Sequence, residues 1–253
     1  MGREEVILKS RSEIEKLRTS NLLVAEILEI LKGKVSAGIT TMDLEGIADG
    51  ELKRRGAHPA FKGYRGYPYC LCTSVNEEVV HGMPSVKRVL KEGDILSIDF
   101  GVCLDGYYGD AAATVAVGIA SPEAIRLIEA TSECLERAIP AARVGGRLYD
   151  ISHEIQSCAE KSGYSVVRDF VGHGIGRSLH EPPEVPNFGR AGTGPRLKEG
   201  MVLAIEPMVN EGGSEVRILA DGWTAVTADG KLSAHFEHSV AITEDGPYVL
   251  SRL

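Results

Sequence analysis

An α+β fold with two similar halves is the architecture this sequence predicts, and three observations predict it. Leu90-Lys91-Glu92-Gly93 recurs as Leu197-Lys198-Glu199-Gly200, at an offset of 107 residues. In that same register Ile98-Asp99 falls on Ile205-Glu206, Gly38 on Gly145, Asp43 on Asp150 and Gly56 on Gly163. Internal repeats of this kind are sought before elements are assigned, because they decide the whole architecture. The second observation is that helical and strand patterns arrive in blocks, helix-helix-strands twice over, rather than in strict alternation. The third is length. At 253 residues the chain is long for one core and short for two. Two fused halves, roughly 10–118 and 119–253, within one domain spanning 1–253 reconcile these, and no Pro/Ser-rich linker divides them.

Each element has its own warrant. Ser12 and Glu15 form a capping-box pattern ahead of Ile14, Leu17, Val24, Leu28 and Leu31, whose spacing is that of one helix face. A second helix follows Thr41, carries Leu44, Ile47 and Leu52, and ends at Gly56. Strand-like runs cover about 70–75, 94–102 and 108–117. The second half restarts at Ser121-Pro122, an N-cap followed by proline at the first helical position, with Ile125, Ile128, Leu135 and Ile139 behind it. Another helix covers about 147–161, and strands are expected near 166–171, 201–209 and 235–242.

Composition narrows the function. With 28 Lys and Arg against 36 Asp and Glu the formal net charge is −8, which disfavours nucleic acid as a primary ligand, since neutralising phosphates needs excess cations. Lys53-Arg54-Arg55 reads as the solvated end of a helix rather than a docking patch. No apolar run approaches the ~18 residues of a membrane span. The charged first thirty residues are no signal peptide, and Met1-Gly2 lacks the Ser or Thr that myristoylation requires, Val6 standing there. Five cysteines without C-x-x-C spacing and four asparagines without a glycosylation sequon point to the reducing cytoplasm.

The strongest chemical signal is acidic. Asp99 interrupts Ile95-Leu96-Ser97-Ile98, and Asp110 opens the run Ala111-Ala112-Ala113-Thr114-Val115, with turn residues at Leu104-Asp105-Gly106 between them. A two-residue loop at 104–105 sets Asp99 opposite Asp110, and one at 105–106 sets them diagonally. Either register leaves both on one face. Glu206 follows Val202-Leu203-Ala204-Ile205, and Glu237 precedes His238-Ser239-Val240-Ala241-Ile242. Four carboxylates in apolar strands, with no Lys or Arg nearby in those strands, cost several kcal/mol unless cations join them.

Gly172-His173-Gly174-Ile175-Gly176 adds an imidazole where glycines let the backbone come close, and His180 follows seven residues on. Pro182, Pro183 and Pro186 exclude the helix that a dinucleotide-binding glycine loop needs. His-x-Glu-x-x-His zinc spacing, a nucleophile elbow and a Walker loop are absent. A mononuclear oxygenase triad would leave strand carboxylates unexplained.

Together with Val80-His81-Gly82-Met83-Pro84 and Leu179-His180-Glu181, the stretches Gly109-Asp110-Ala111-Ala112, Ala204-Ile205-Glu206-Pro207-Met208 and His235-Phe236-Glu237-His238 resemble the type I methionine aminopeptidases, from about Ser12 to Thr243. The resemblance implies the pita-bread (creatinase/aminopeptidase) fold, two pseudo-symmetric halves around one dinuclear metal site. It implies two divalent metal ions, with Asp99 holding one, His173 and Glu206 the other, and Asp110 and Glu237 bridging both. Oxygen-rich donors with one imidazole suit Mn, Fe(II) or Co at least as well as Zn. Glu206 would double as general acid–base, while His81 and His180 would contact the scissile peptide, His180 near the developing oxyanion. Tyr64, Tyr67, Cys72 and Trp223 match positions that shape the methionine pocket. Phe61 and Leu179 depart from the cysteine and phenylalanine common there, which leaves the size and shape of the pocket open but not the chemistry.

The activity so implied is metal-dependent removal of the initiator methionine from nascent polypeptides whose second residue is small. A monomer is expected, and transient ribosome contact is left open by the acidic composition. The alternatives are an Xaa-Pro aminopeptidase or prolidase-like metallopeptidase, which usually carries a large extra N-terminal domain, and a non-catalytic binding protein on the same fold, which would tend to lose ligands. The zinc-binding extension of longer type I enzymes and the helical insertion of type II have no counterpart in this sequence.

Overall fold

A computed structural model describes residues 6–253; Met1-Gly2 lies outside the described residues. The first half runs α1 (Arg11–Lys32), α2 (Thr41–Arg55), β1 (His58–Pro59), β2 (Leu71–Val75), β3 (Glu78–Val80), β4 (Ile95–Leu104) and β5 (Tyr107–Ala116). The second runs α3 (Pro122–Ala138), α4 (Leu148–Lys161), β6 (Ser165–Val166), β7 (Val171–Gly174), β8 (Glu181–Pro186) and β9 (Val202–Ile205). It continues through β10 (Met208–Asn210), β11 (Val216–Ile218), β12 (Ala225–Thr227), β13 (Ser233–His235), β14 (His238–Thr243) and β15 (Gly246–Val249).

The helices are capped as their sequences allow, with two shifts of register. Ser10 and Glu13, not Ser12 and Glu15, make the reciprocal box of α1, and Thr40 with Asp43 caps α2. Gly56 closes α2 with a left-handed φ of 66°, a conformation glycine adopts without a Cβ penalty. Lys53, Arg54 and Arg55 at that end are paired with Asp49, Glu51 and Glu26, so the basic run is indeed a solvated helix end. Ser121 caps α3 with proline in its first turn.

The repeat is visible in the backbone. Isolated bridges join Thr40 to Val89 and Arg147 to Arg196, two pairings separated by the same 107-residue offset. One apolar core lies under α1 and α2 against β2, β4 and β5, with Leu31, Leu44, Leu96 and Phe100 fully buried. The other lies under α3 and α4 against β9 and β14, around Leu127, Ile151, Ile155 and Leu203. Phe236 packs against both.

Two sheets face the groove between these cores. In the first, β4 pairs with β1, β2 and β5, and in the second the order is β15-β14-β9-β7-β8. The β4–β5 hairpin sets Asp99 against Ala112 and Gly101 against Asp110, the register of a 105–106 loop. Asp99 and Asp110 are therefore diagonal neighbours on one face, while Ile98, Phe100, Ala111 and Ala113 fill the core from the other.

The expected strands of the second half are interrupted. The run 201–209 breaks at Glu206-Pro207, between β9 and β10, and 235–242 breaks at Phe236-Glu237, between β13 and β14. Glu206 and Glu237 thus sit at strand ends rather than within strands. Proline has no N–H to continue a ladder, and the breaks turn both carboxylates into the groove. The run 166–171 likewise splits into β6 and β7.

Candidate active site

The two halves are stitched beside the acids by backbone and hydroxyl hydrogen bonds. Glu237 N donates to Ala112 O at 2.9 Å, Ser239 Oγ to Asp110 O at 3.0 Å, and Thr114 Oγ1 to His235 O at 2.8 Å. These contacts carry Glu237 across to the Asp99–Asp110 face. On β7, His173 Nδ1 lies 2.9 Å from Gly174 O. A carbonyl only accepts, so Nδ1 carries the proton and Nε2 keeps its lone pair. That Nε2 is 3.5 Å from Glu206 Oε1 and 4.0 Å from Asp110 Oδ2.

The acids lack partners of their own. Asp99 Oδ1, Asp110 Oδ1 and Glu237 Oε1 are buried without a hydrogen bond among the described residues. Burial and mutual repulsion make ionisation costly. Burial pushes the Asp99 carboxyl up to about 7, with His235 opposing and Glu206 adding to the shift. Burial likewise raises Glu206 to about 7 against the pull of His173. Asp110 and Glu237 are raised well above the usual range, by burial first and by neighbouring carboxylates second. Ligand atoms of Asp110, His173 and Glu237 all lie within 4.8 Å of one another. Buried, unpartnered, like-charged oxygens beside an imidazole lone pair form a donor set that fits divalent cations.

All thirteen residues singled out from sequence line one cavity of about 150 Å³, together with Arg65. Cys72 lies opposite Asp99 in the β2–β4 ladder, its thiol raised by burial and by that carboxylate. Tyr67 is buried, donates to Leu71 O at 3.0 Å, and meets Trp223 edge-on at 5.1 Å. Tyr64 lies 4.9 Å from the His180 ring, and Leu179 is buried beneath the same turn. Phe61 closes the wall beside Gly101, where an added Cβ would stand 2.8 Å from its ring and 3.3 Å from Asp110 Oδ1.

The two histidines outside the acid set stand at strand ends, His81 just after β3 and His180 just before β8. His81 has a left-handed φ of 60°, uncommon for a residue with a Cβ and a mark of local strain. It is held because Gly82 approaches Thr73 O so closely that a Cβ there would be 2.3 Å from it. Burial, with His235 nearby, lowers the His81 imidazole to about 4. The His180 ring lies 4.2 Å from that of His173, tilted by 51°, and desolvation in the cleft, then His173 and Arg65, hold it below the ordinary imidazole value. Both rings are therefore neutral at pH 7, each with one N–H to donate.

Two residues of the site escaped the sequence reading. Arg65, exposed at the mouth with its guanidinium over Tyr64, offered only its position between two pocket tyrosines as a signal. His235 is buried with neither ring nitrogen hydrogen-bonded, its Nε2 3.5 Å from Glu206 Oε2. Its place two residues before Glu237, on the same side of the strand expected over 235–242, is the available clue. A larger hollow of about 660 Å³ lies between the start of α1 and the β14–β15 turn, and among the described residues it gathers no comparable donor cluster.

The chain is similar to known proteins over nearly its whole length. Residues 15–244 match metallopeptidase family M24. The chain is 56% identical over 246 residues to a methionine aminopeptidase of Clostridium perfringens, covering 97% of this chain and 98% of that one. It is 50% identical over 248 residues to methionine aminopeptidase 1 of Bacillus subtilis, covering 98% and 100%. The crystal structure of methionine aminopeptidase from Thermotoga maritima superposes with a TM-score of 0.97 at 48% identity, over 98% and 100% of the two chains. A prolidase of Pyrococcus horikoshii shares the fold alone, with a TM-score of 0.78 at 22% identity, over 97% of this chain and 63% of that one.

Proposed function

This chain belongs to metallopeptidase family M24, in its methionine aminopeptidase branch, and from that premise we propose that it removes the initiator methionine from nascent polypeptides whose second residue is small. The observation that carries the reading is the single cavity in which an aromatic and thiol-lined pocket adjoins four carboxylates, Asp110 and Glu237 buried and Asp99 and Glu206 half-buried, and an imidazole lone pair. The fold is the α+β pita-bread architecture shared with the prolidases, and the chain is a metallo-exopeptidase of family M24.

We assign Asp99, Asp110, His173, Glu206 and Glu237 as the ligands of two divalent ions, supported by the orphaned oxygens and the free Nε2. Bound divalent metal supplies Lewis-acid polarisation and a water acidic enough to attack at neutral pH. The residues of the chain do the rest. Tyr64, Tyr67, Cys72 and Trp223 surround the methionine side chain, whose flexible thioether packs well on aromatic edges. Phe61 and Leu179 complete that wall and set its width. The Glu206 carboxyl, near both His173 and His235, takes the proton from the attacking water and returns it to the leaving amine. His81 and His180, kept neutral, donate hydrogen bonds to the scissile peptide, His180 to its developing oxyanion.

Among the described residues no helix is long and apolar enough to cross a membrane. We read the protein as a cytoplasmic monomer that meets the N-terminus of nascent chains, with any ribosome contact transient. The test of the activity is release of free methionine from Met-Gly-Met-type peptides beside Xaa-Pro peptides, with and without Mn(II) or Co(II). Methionine release that needs metal is the expected result. Cleavage of Xaa-Pro substrates alone, or no metal dependence, would overturn the reading.

A further inference from the structure

One other pair of charges is deeply buried. Lys9 Nζ lies 2.6 Å from Glu181 Oε2, with the two side chains 5% and 4% exposed. Among the described residues every other Lys or Arg ion pair has a partner at least a fifth exposed. Burying two charges is costly enough that apolar replacements are often no less stable, so stability alone is a poor reason to keep such a pair. What the pair holds is more informative. Glu181 directly follows His180, and its other oxygen, Oε1, accepts from Ser178 N at 3.1 Å. Gly176 N donates to Ser178 O at 3.1 Å, closing the turn that carries Leu179 and His180. Gly176 leaves room for the pair, since a Cβ there would meet Glu181 Oε1 at 2.5 Å and Lys9 Cε at 2.6 Å.

The other end of the strut is fixed to the body of the protein. Lys9 N donates to Gly200 O at 2.7 Å, Lys9 Nζ also donates to Ile7 O at 2.9 Å, and α1 begins at Arg11. The His180 ring, by contrast, makes no hydrogen bond among the described residues, and the aromatic rings beside it are those of His173 and Tyr64. Its position therefore depends on the turn, and the turn on Glu181.

We propose that Lys9 and Glu181 are positioning residues, an ion-pair strut from the segment before α1 that sets how far His180 reaches into the cavity. The inference rests on the proposed role of His180 in peptide hydrolysis. Each single charge deletion strands the other charge, so the double variant Lys9→Met/Glu181→Gln carries the test. Glu181→Asp, which keeps the charge on a shorter arm, is the second variant. In both, kcat per Mn(II)-loaded protein should fall roughly ten- to a hundredfold, the loss that an ångström of misplacement costs. KM should stay within about threefold, because Tyr67, Cys72 and Trp223, which make up most of the methionine pocket, stand on other segments of the chain. Mn(II) affinity measured by titration calorimetry should match the unaltered protein. In histidine-labelled NMR spectra of chelated protein, the His180 ring signals should move while those of His153, on α4, hold still.

A merely structural strut would lower the melting temperature and leave kcat of the folded, loaded variants unchanged. That outcome overturns the proposal, as does an unmoved His180 signal. Should the unaltered protein release no methionine at all, the activity reading fails instead, and the NMR comparison alone decides the strut.

Discussion

The acid cluster makes a prediction about stability that runs against the usual sense of a deleterious mutation. Glu237→Gln should stabilise the protein when metal is withheld. Carboxylate oxygens of Asp110 and Glu237 lie within 4.8 Å of each other. Two unit charges at that separation repel by about 3.5 kcal/mol at an effective dielectric constant near 20. Neutralising one of them removes that cost and leaves the packing nearly unchanged. The pH dependence follows from the raised carboxyls. Between the ordinary carboxylate value and the raised folded one, the folded state binds more protons than the unfolded state, so stability falls as pH rises. The gain from Glu237→Gln should thus be near zero around pH 4.5 and reach about 3 kcal/mol by pH 8. Urea unfolding in EDTA at a series of pH values reads both curves, and their difference cancels titrations common to the two proteins. With Mn(II) at a thousand times its dissociation constant the order should reverse, since that stabilises the unaltered site by about 4.1 kcal/mol. A chelated variant no more stable than its parent at pH 8, or a gain that does not shrink toward pH 5, would refute the reasoning.

Three further outcomes separate the parts of the site. His81→Ala and His180→Ala should each retain Mn(II) binding by calorimetry while methionine release falls by a factor of about a hundred or more, the loss typical of a missing transition-state donor; undiminished turnover in His180→Ala removes its assigned role. Gly101→Ala places a Cβ against Phe61 and Asp110 Oδ1. It should weaken Mn(II) about tenfold, in line with disturbance of a ligand's surroundings, and raise KM for methionyl peptides, as a metal titration and a substrate series would show. Phe100→Ala, on the opposite face of β4 from Asp99 and fully buried, should cost about 3–5 kcal/mol in urea unfolding with little change in metal affinity.

The parts of the site legible in sequence were those where a residue type contradicts its surroundings. A carboxylate inside Ile95–Phe100 or Gly109–Val115 is anomalous wherever the strand ends fall, and the hairpin arithmetic bounded its neighbour to two registers, one of which is observed. Boundaries were harder because they are decided by distant contacts. Both Ser10…Glu13 and Ser12…Glu15 have capping-box spacing, and nothing local chooses between them. Lys9, tied to Gly200 and Glu181 from nearly two hundred residues away, fixes the chain entry so that the earlier box forms. The breaks at Glu206-Pro207 and Phe236-Glu237 had a local signal only in the proline. At the second break, Phe236 spans both cores, a demand made by the other half of the molecule. His235 was missed because an alternating strand makes an inward histidine look like any core residue, and only the approach of Glu206 distinguishes it.

That approach of one half to the other explains how so much unbalanced charge can stay folded. Side-chain partners do not hold the acids in place, since several of their oxygens have none. Backbone does. Glu237 N on Ala112 O, Ser239 Oγ on Asp110 O, and the two bonds between Thr114 and His235 join β5 to the 235–239 segment within a few residues of Asp110 and Glu237. Those bonds do not weaken when the carboxylates ionise, so the acids are kept close despite their repulsion, and the cost is carried by the stability of the whole domain. Half of the net charge of −8 is concentrated in these four side chains, and two dications would cancel that half locally. A site built this way is organised before metal arrives, which keeps the ordering cost of binding small. It also concentrates the stabilising effect of metal at the seam between the halves. Hydrogen exchange should accordingly slow most on metal addition at the amides of Ala112, Glu237 and Ser239, more than in α1 or α3. Uniform slowing across the chain would mean that the ions report on global stability alone and that the seam has no special part in it.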